Sequence, residues 1–121
     1  MPVKKILIVD DSPTDRQSLL EKLSKHGYQC VTAASGDEAI AKSKSELPDL
    51  ILMDVVMPGT NGYEATRAIA RDDATRHIPV IICTGRKQQS DRLWGLRQGA
   101  VDYLMKPIDY SVLLEKIAAL P

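Results

Sequence analysis

Residues 4–11 read KKILIVDD. Four consecutive apolar residues, Ile6 to Val9, stand between two lysines and two aspartates. A half-buried strand would alternate, whereas a strand covered on both faces of a parallel sheet reads as a short continuous apolar run. Three more stretches repeat the pattern: DLILMD at 49–54, PVIICT at 79–84 and VDYLMK at 101–106. Each run ends on a polar residue: Asp10-Asp11, Asp54, Thr84 and Lys106. In open parallel α/β sheets the functional site lies outside the carboxyl ends of the strands. The four endings therefore predict three carboxylates, a hydroxyl and an ammonium on one edge of one sheet. Clustered carboxylates call for a cation, and a hydroxyl and a lysine beside them suit the oxygens of a phosphoryl group.

Helical segments separate these runs. Strand 1 is expected over Lys4–Val9. Helix 1 follows, with Ser12 as N-cap, Pro13 at the first helical position and Asp15 three residues after the cap, a variant of the capping box. Leu19, Leu20 and Leu23 form its apolar face and Gly27 stops it. Strand 2 is read as Gln29–Ala33, helix 2 as Gly36–Glu46 and strand 3 as Leu50–Met53. Val55–Gly62 is a Pro/Gly/Asn loop. Helix 3 covers Tyr63–Arg71, strand 4 Pro79–Cys83, helix 4 Gln88–Gln98 with Gly99 after it, strand 5 Val101–Met105 and helix 5 Tyr110–Ala119. A βα unit repeated five times implies an α/β fold, a parallel sheet with helices on both faces.

Composition narrows the function. The chain has 121 residues, the size of one domain. Sixteen Lys+Arg balance sixteen Asp+Glu, which argues against a dedicated nucleic-acid binder or a polybasic membrane module. No stretch has the ~20 apolar residues of a membrane span, and MPVKKILIVDD does not read as a signal peptide. The expected compartment is the cytoplasm. Cys30 and Cys83 sit in apolar runs without a nearby His, so they read as small buried hydrophobes rather than metal ligands or a disulfide.

Taken singly, the four endings are ambiguous. Asp10-Asp11 could be loop and helix-capping charge, or a Mg²⁺ site of one or two carboxylates plus water. Asp54 could be a turn residue, or a nucleophile that forms an aspartyl-phosphate. Thr84 could be an ordinary strand end and Lys106 a surface lysine. Their joint occurrence is far more specific than any one of them.

The runs ILIVDDS, ILMDVVMPGTNGYEA, IPVIICTG and GAVDYLMKPI resemble the receiver domain of a bacterial two-component response regulator, of the stand-alone chemotaxis type. The resemblance spans residues 1–121 and implies a single receiver domain without an output domain. It implies a flavodoxin-like doubly wound fold, with a five-stranded parallel sheet of order 2-1-3-4-5. That order would set strands 2 and 4 roughly 14 Å apart, too far for a Cys30–Cys83 bridge. It also implies site roles. Asp54 matches the phosphoacceptor. Asp10, Asp11, Asp54 and the backbone carbonyl of Val56 match the Mg²⁺ site, with Mn²⁺ as an alternative ion. Thr84 matches the switch hydroxyl, Lys106 the lysine that pairs with a phosphoryl oxygen, and Tyr103 the aromatic that swings between outward and inward rotamers. Val56 and Arg86 match the side chains that overhang the phosphoryl group and modulate its lifetime, although Arg86 also reads as a solvated surface arginine.

Trp94 on helix 4 is expected off the core face, about 100° from Leu93, as an anchor on a helix 4–strand 5–helix 5 partner surface. Core packing is the competing reading. The implied partners are a sensor histidine kinase and a separate output protein, with a monomer as the default and no nucleic acid or membrane insertion. WGLRQGAVDYLMKP and VVMPGTNGYEATR are similar to receivers of chemotaxis-like systems that control type IV pili and twitching motility.

Other readings compete with the switch. An aspartyl phosphatase would typically carry a second acid two residues after its nucleophile, where this chain has Val56. A nucleotide or flavin binder would want a Gly-rich loop where this chain has DDSPTD. A phosphate sink for the kinase, or an unphosphorylated scaffold, would keep the same fold.

Overall fold

The computed structural model describes residues 2–85 and 89–121. Its elements alternate: β1 (Lys5–Val9), α1 (Pro13–Lys25), β2 (Gln29–Ala33), α2 (Gly36–Glu46), β3 (Leu50–Met53), α3 (Gly62–Arg71), β4 (Val80–Thr84), α4 (Gln89–Arg97), β5 (Asp102–Met105) and α5 (Tyr110–Ala118). The five strands form one sheet of order β2-β1-β3-β4-β5, and all its pairings are parallel. The expected flavodoxin-like fold is therefore present. β2, α2 and β3 have the expected bounds; β1 and β5 begin one residue later, α3 begins one residue earlier, β4 lies one residue later, and α4 and α5 end one residue sooner, while the expected start of α4 at Gln88 lies outside the described residues.

The apolar runs are continuous because both faces of the sheet are covered. Ile6, Ile8, Leu50, Leu52, Ile81 and Cys83 pack with Leu19 and Leu23 of α1 and Leu113 and Ile117 of α5. The alternate residues Leu7, Val9, Ile51, Met53 and Val80 pack with Ala39 of α2 and Ala65 and Ile69 of α3. Burial of each large side chain contributes roughly 1.5–3 kcal/mol, so a one-residue slip in β1 or β3 would exchange the residues offered to the two helical layers. The cysteines are free. Burial pushes the Cys83 thiol up to about 12, which leaves it inert at neutral pH.

The ladder runs just past the strand ends. The Asp10 N–H bonds to the Ala33 carbonyl at 3.1 Å, the Asp54 N–H to that of Val9 at 2.9 Å, and the Lys106 N–H to that of Thr84 at 2.8 Å. Asp10, Asp54 and Lys106 thus each hang from a neighbouring strand by their own backbone.

The helix starts differ from expectation at one point. Ser12 caps α1 by accepting from the Asp15 N–H, and Gly27 (φ +88°) follows its end. Asp15 does not close a capping box, however. The Ser12 N–H goes to Asp10 Oδ1 at 2.9 Å, and the Asp15 carboxylate turns to a distant lysine. A complete capping box occurs instead at α3, between Asn61 and Glu64.

Candidate phosphoryl and metal site

The strand ends bring the expected groups together. One carboxylate oxygen from each of Asp10, Asp11 and Asp54 lies within 4.8 Å of the others. Asp10 and Asp54 are buried, while Asp11 is exposed. Lys106 reaches in from beyond β5. Its Nζ lies 2.7 Å from Asp10 Oδ2, 2.8 Å from Asp15 Oδ2 and 3.7 Å from Asp54 Oδ2. Three carboxylates therefore share one ammonium, and the oxygens of Asp10, Asp11 and Asp54 at this spacing suit a hard cation bound directly or through water.

Electrostatics follow from this crowding. Burial raises the Asp54 carboxyl above the usual carboxylate range, and the charge on Asp10 raises it further. Lys106, the Thr84 hydroxyl and the Val55 N–H (2.8 Å to Oδ1) offset only part of this. Burial alone would lower the Lys106 ammonium, but its hydrogen bonds to Asp10 and Asp15 and the charge of Asp54 outweigh it and hold Lys106 above its usual range. The Asp54 carboxylate would be relieved by any cation placed against it.

The remaining residues surround this cluster. Thr84 is wholly buried, and among the described residues its Oγ1 has no hydrogen-bond partner of ordinary geometry, although its nearness favours the charged form of Asp54. An unsatisfied buried hydroxyl at a site edge is a donor held in reserve. Tyr103 is buried against Val55, Tyr63, Ile82 and Ala100. Val56 is exposed, and Arg86 lies outside the described residues. Trp94 is 50% exposed and Leu93 53%, so core packing does not account for Trp94.

Three contributors were not legible in the sequence. Asp15 reads locally as part of a helix cap, whereas its carboxylate meets Lys106. Arg16 donates through Nη1 to the Asp10 carbonyl at 2.7 Å, pinning the acidic turn. Gly62 opens α3 so close to the site that a Cβ there would lie 2.0 Å from the Asp54 carbonyl oxygen. The G in TNG was the available signal for the last, but a loop glycine does not announce which backbone it must touch.

A parallel sheet of this order is a doubly wound fold, and it carries acids at the ends of β1 and β3 and a lysine after β5 on one edge. The response regulator receiver domain family matches residues 6–118, and the chain belongs to that family. Protein PilH of Pseudomonas aeruginosa is 51% identical over 115 residues, covering 95% of each chain. The solved structure of the chemotaxis protein CheY4 of Vibrio cholerae superposes with a TM-score of 0.88 at 33% identity, covering 95% of this chain and 96% of that one. The receiver domain of the sensor histidine kinase PA1611 of P. aeruginosa superposes with a TM-score of 0.87 at 33% identity, covering 95% and 94%. That structure holds a magnesium ion coordinated in its active-site cleft. The chain is thus a two-component receiver, a module of phosphorylation-driven signalling. Among the described residues no helix is long and apolar enough to cross a membrane.

Proposed function

We propose that Asp54 is the phosphoacceptor of a switch fed by a histidine kinase. The observation that carries this reading is the state of Asp54: a buried carboxylate beside two further acids, raised by its surroundings, with a lysine ammonium 3.7 Å away. An Asp54 oxygen attacks the phosphorus, the phosphorus–nitrogen bond of the donor phosphohistidine breaks, and its electron pair leaves on the imidazole. The product is an acyl phosphate, and water later returns it to carboxylate and inorganic phosphate. Lys106 supplies a charged donor to a phosphoryl oxygen, and the Thr84 hydroxyl, unsatisfied among the described residues, supplies another. Asp10, Asp11, Asp54 and the Val56 carbonyl would hold Mg²⁺, with Mn²⁺ as a substitute; the ion would screen the carboxylates from the incoming phosphoryl oxygens.

The response is a two-state one. Movement of Thr84 toward new charge on Asp54 favours the inward Tyr103. Val56 overhangs the site and tunes lifetime, and Arg86 is assigned the same task. The chain is a switch that assists its own phosphorylation from small donors and its own slow hydrolysis, not an enzyme that turns over an external substrate. The output face is α4–β5–α5, where Trp94, Met105 and Val112 leave apolar surface exposed. The identity to PilH and the resemblance to pilus-controlling receivers support an output in motility control, through a separate protein, from a cytoplasmic monomer.

The test is intact mass after incubation with acetyl phosphate, with and without Mg²⁺. A Mg²⁺-dependent gain of one phosphoryl group in the wild type, absent from Asp54→Asn, is expected. The same gain in Asp54→Asn would overturn the assignment.

A further inference from the structure

Asp15 stands outside the acidic triad, yet it makes one of the two short contacts that hold Lys106. Nζ is 2.8 Å from Asp15 Oδ2 and 2.7 Å from Asp10 Oδ2, and it stops 3.7 Å from Asp54 Oδ2. That last gap is about 1 Å longer than a charge-assisted hydrogen bond of ~2.8 Å. Lys106 is thus tethered short of the position that a phosphoryl group would require of it.

The two tethers differ in how easily they let go. The Asp10 side chain is 2% exposed, and a buried carboxylate stripped of its counter-charge is strongly disfavoured. The Asp15 side chain is 48% exposed, so water can replace the ammonium. Asp15 also sits in the first turn of α1, where the helix dipole favours its charge without Lys106. A cleft of about 210 Å³, lined by Asp15, Ser18, Leu19, Lys106 and Tyr110 among others, opens beside the pair and leaves room for both side chains to shift.

We propose that Asp15 is a positioning residue: it restrains Lys106 in the unphosphorylated protein and gives it up to a phosphoryl oxygen on Asp54. This rests on the phosphoacceptor reading above. Asp15 competes with the phosphoryl group for one ammonium, so it raises the threshold for activation and leaves the phosphoryl-accepting residues themselves unchanged.

The experiment titrates fluoroberyllate, a non-transferring mimic of the phosphoryl group, at saturating Mg²⁺ and follows binding by amide chemical shifts. Wild type, Asp15→Asn, Lys106→Ala and the double variant are compared. Asp15→Asn should bind fluoroberyllate about two- to fivefold more tightly, the scale of one partly exposed ion pair. The gain should vanish in the Lys106→Ala background. An equal gain in both backgrounds would mean that Asp15 merely repels the anion, and would overturn the proposal, as would no gain at all. A urea-unfolding cycle on the same four proteins, free of metal and anion, keeps the test decisive where Lys106→Ala binds too weakly to titrate. There Asp15 and Lys106 should show a favourable coupling of about two- to fivefold in the unfolding constant, and zero coupling overturns the tether. A wild type that neither binds fluoroberyllate nor takes up phosphoryl brings down the phosphoacceptor reading. A wild type that does, beside an indistinguishable Asp15→Asn, brings down only this inference.

Discussion

Two aspartates bracket β3, Asp49 before Leu50 and Asp54 after Met53, and the fold treats them in opposite ways. Their backbones are held alike: the Asp49 N–H bonds to the Lys5 carbonyl at 2.8 Å and the Asp54 N–H to the Val9 carbonyl at 2.9 Å. Their side chains are not. Asp49 Oδ2 accepts the N–H groups of Lys4 and Lys5 at 3.0 and 2.9 Å on an exposed rim. Those bonds, Lys5 before Lys4, hold its carboxyl below the usual range. Asp54 is buried, accepts only a neighbouring N–H among the described bonds, and is pushed up by burial and by Asp10. At its amino end β1 has N–H groups to spare. Beyond its carboxyl end it offers the Asp10 carbonyl, which Arg16 takes. A carboxylate satisfied by the sheet is structural, and one left short by it is available for chemistry.

The sharpest way to break this contrast is to neutralise each acid in turn. Asp54→Asn should abolish phosphoryl uptake in the mass assay, while Asp49→Asn should keep its rate within about twofold, because that carboxylate sits at the far end of the strand. Next in size is Gly62→Ala. Its Cβ would strike the Asp54 carbonyl at 2.0 Å, so urea denaturation should show a loss on the order of 3 kcal/mol. Uptake should fall as well, because the clash displaces the backbone of Asp54, the proposed phosphoacceptor.

Stability should then invert between the two acids. Asp49→Ala removes two hydrogen bonds to N–H groups that water can still reach, so a loss of about 1 kcal/mol is expected. Asp54→Asn relieves a crowded, desolvated carboxylate and should stabilise the metal-free protein by on the order of 1 kcal/mol. A destabilised Asp54→Asn would mean that Asp54 is a structural acid like Asp49.

The pH dependence follows the same signs. The Asp49 carboxyl is lowered on folding, so its contribution is present above the unfolded carboxylate range and is lost as pH falls through the folded value. Asp49→Asn should therefore lose less stability on acidification below about pH 4 than the wild type does. The raised Asp54 runs the other way: the stability linked to its protonated form is present below the unfolded range and lost as pH rises through the folded value. The smallest expected effect is at Trp94. With half its surface in solvent, Trp94→Ala should change stability by less than about 0.5 kcal/mol while weakening capture of an output partner in pull-down. A loss of several kcal/mol would return it to the core.

Much of this was open to reading from the chain. The runs ILIV, LILM and VIIC are short, continuous and separated by helical segments, as strands of a sheet covered on both faces are, so the fold class follows from run length and alternation together. The polar residue after each run marks the carboxyl edge, and Asp10, Asp11, Asp54, Thr84 and Lys106 follow from it. Asp15 was misread because S-P-T-D satisfies a local capping pattern, and a local pattern carries no information about a lysine far along the chain. The packing of Tyr103 against Val55 and Tyr63 was equally closed to reading, since no local pattern in DYLM names the side chains it meets.

By itself, then, the sequence determined the strand–helix alternation and the sheet edge at which Asp10, Asp11, Asp54, Thr84 and Lys106 gather, because periodicity and run length are local consequences of burial. The tertiary structure decided which acid is satisfied and which is left short. It also decided that Lys106 divides its donors between Asp10 and Asp15, and that Gly62 must have no side chain. Those outcomes depend on distances between segments that meet only once the sheet has taken its order, and no spacing along the chain encodes them.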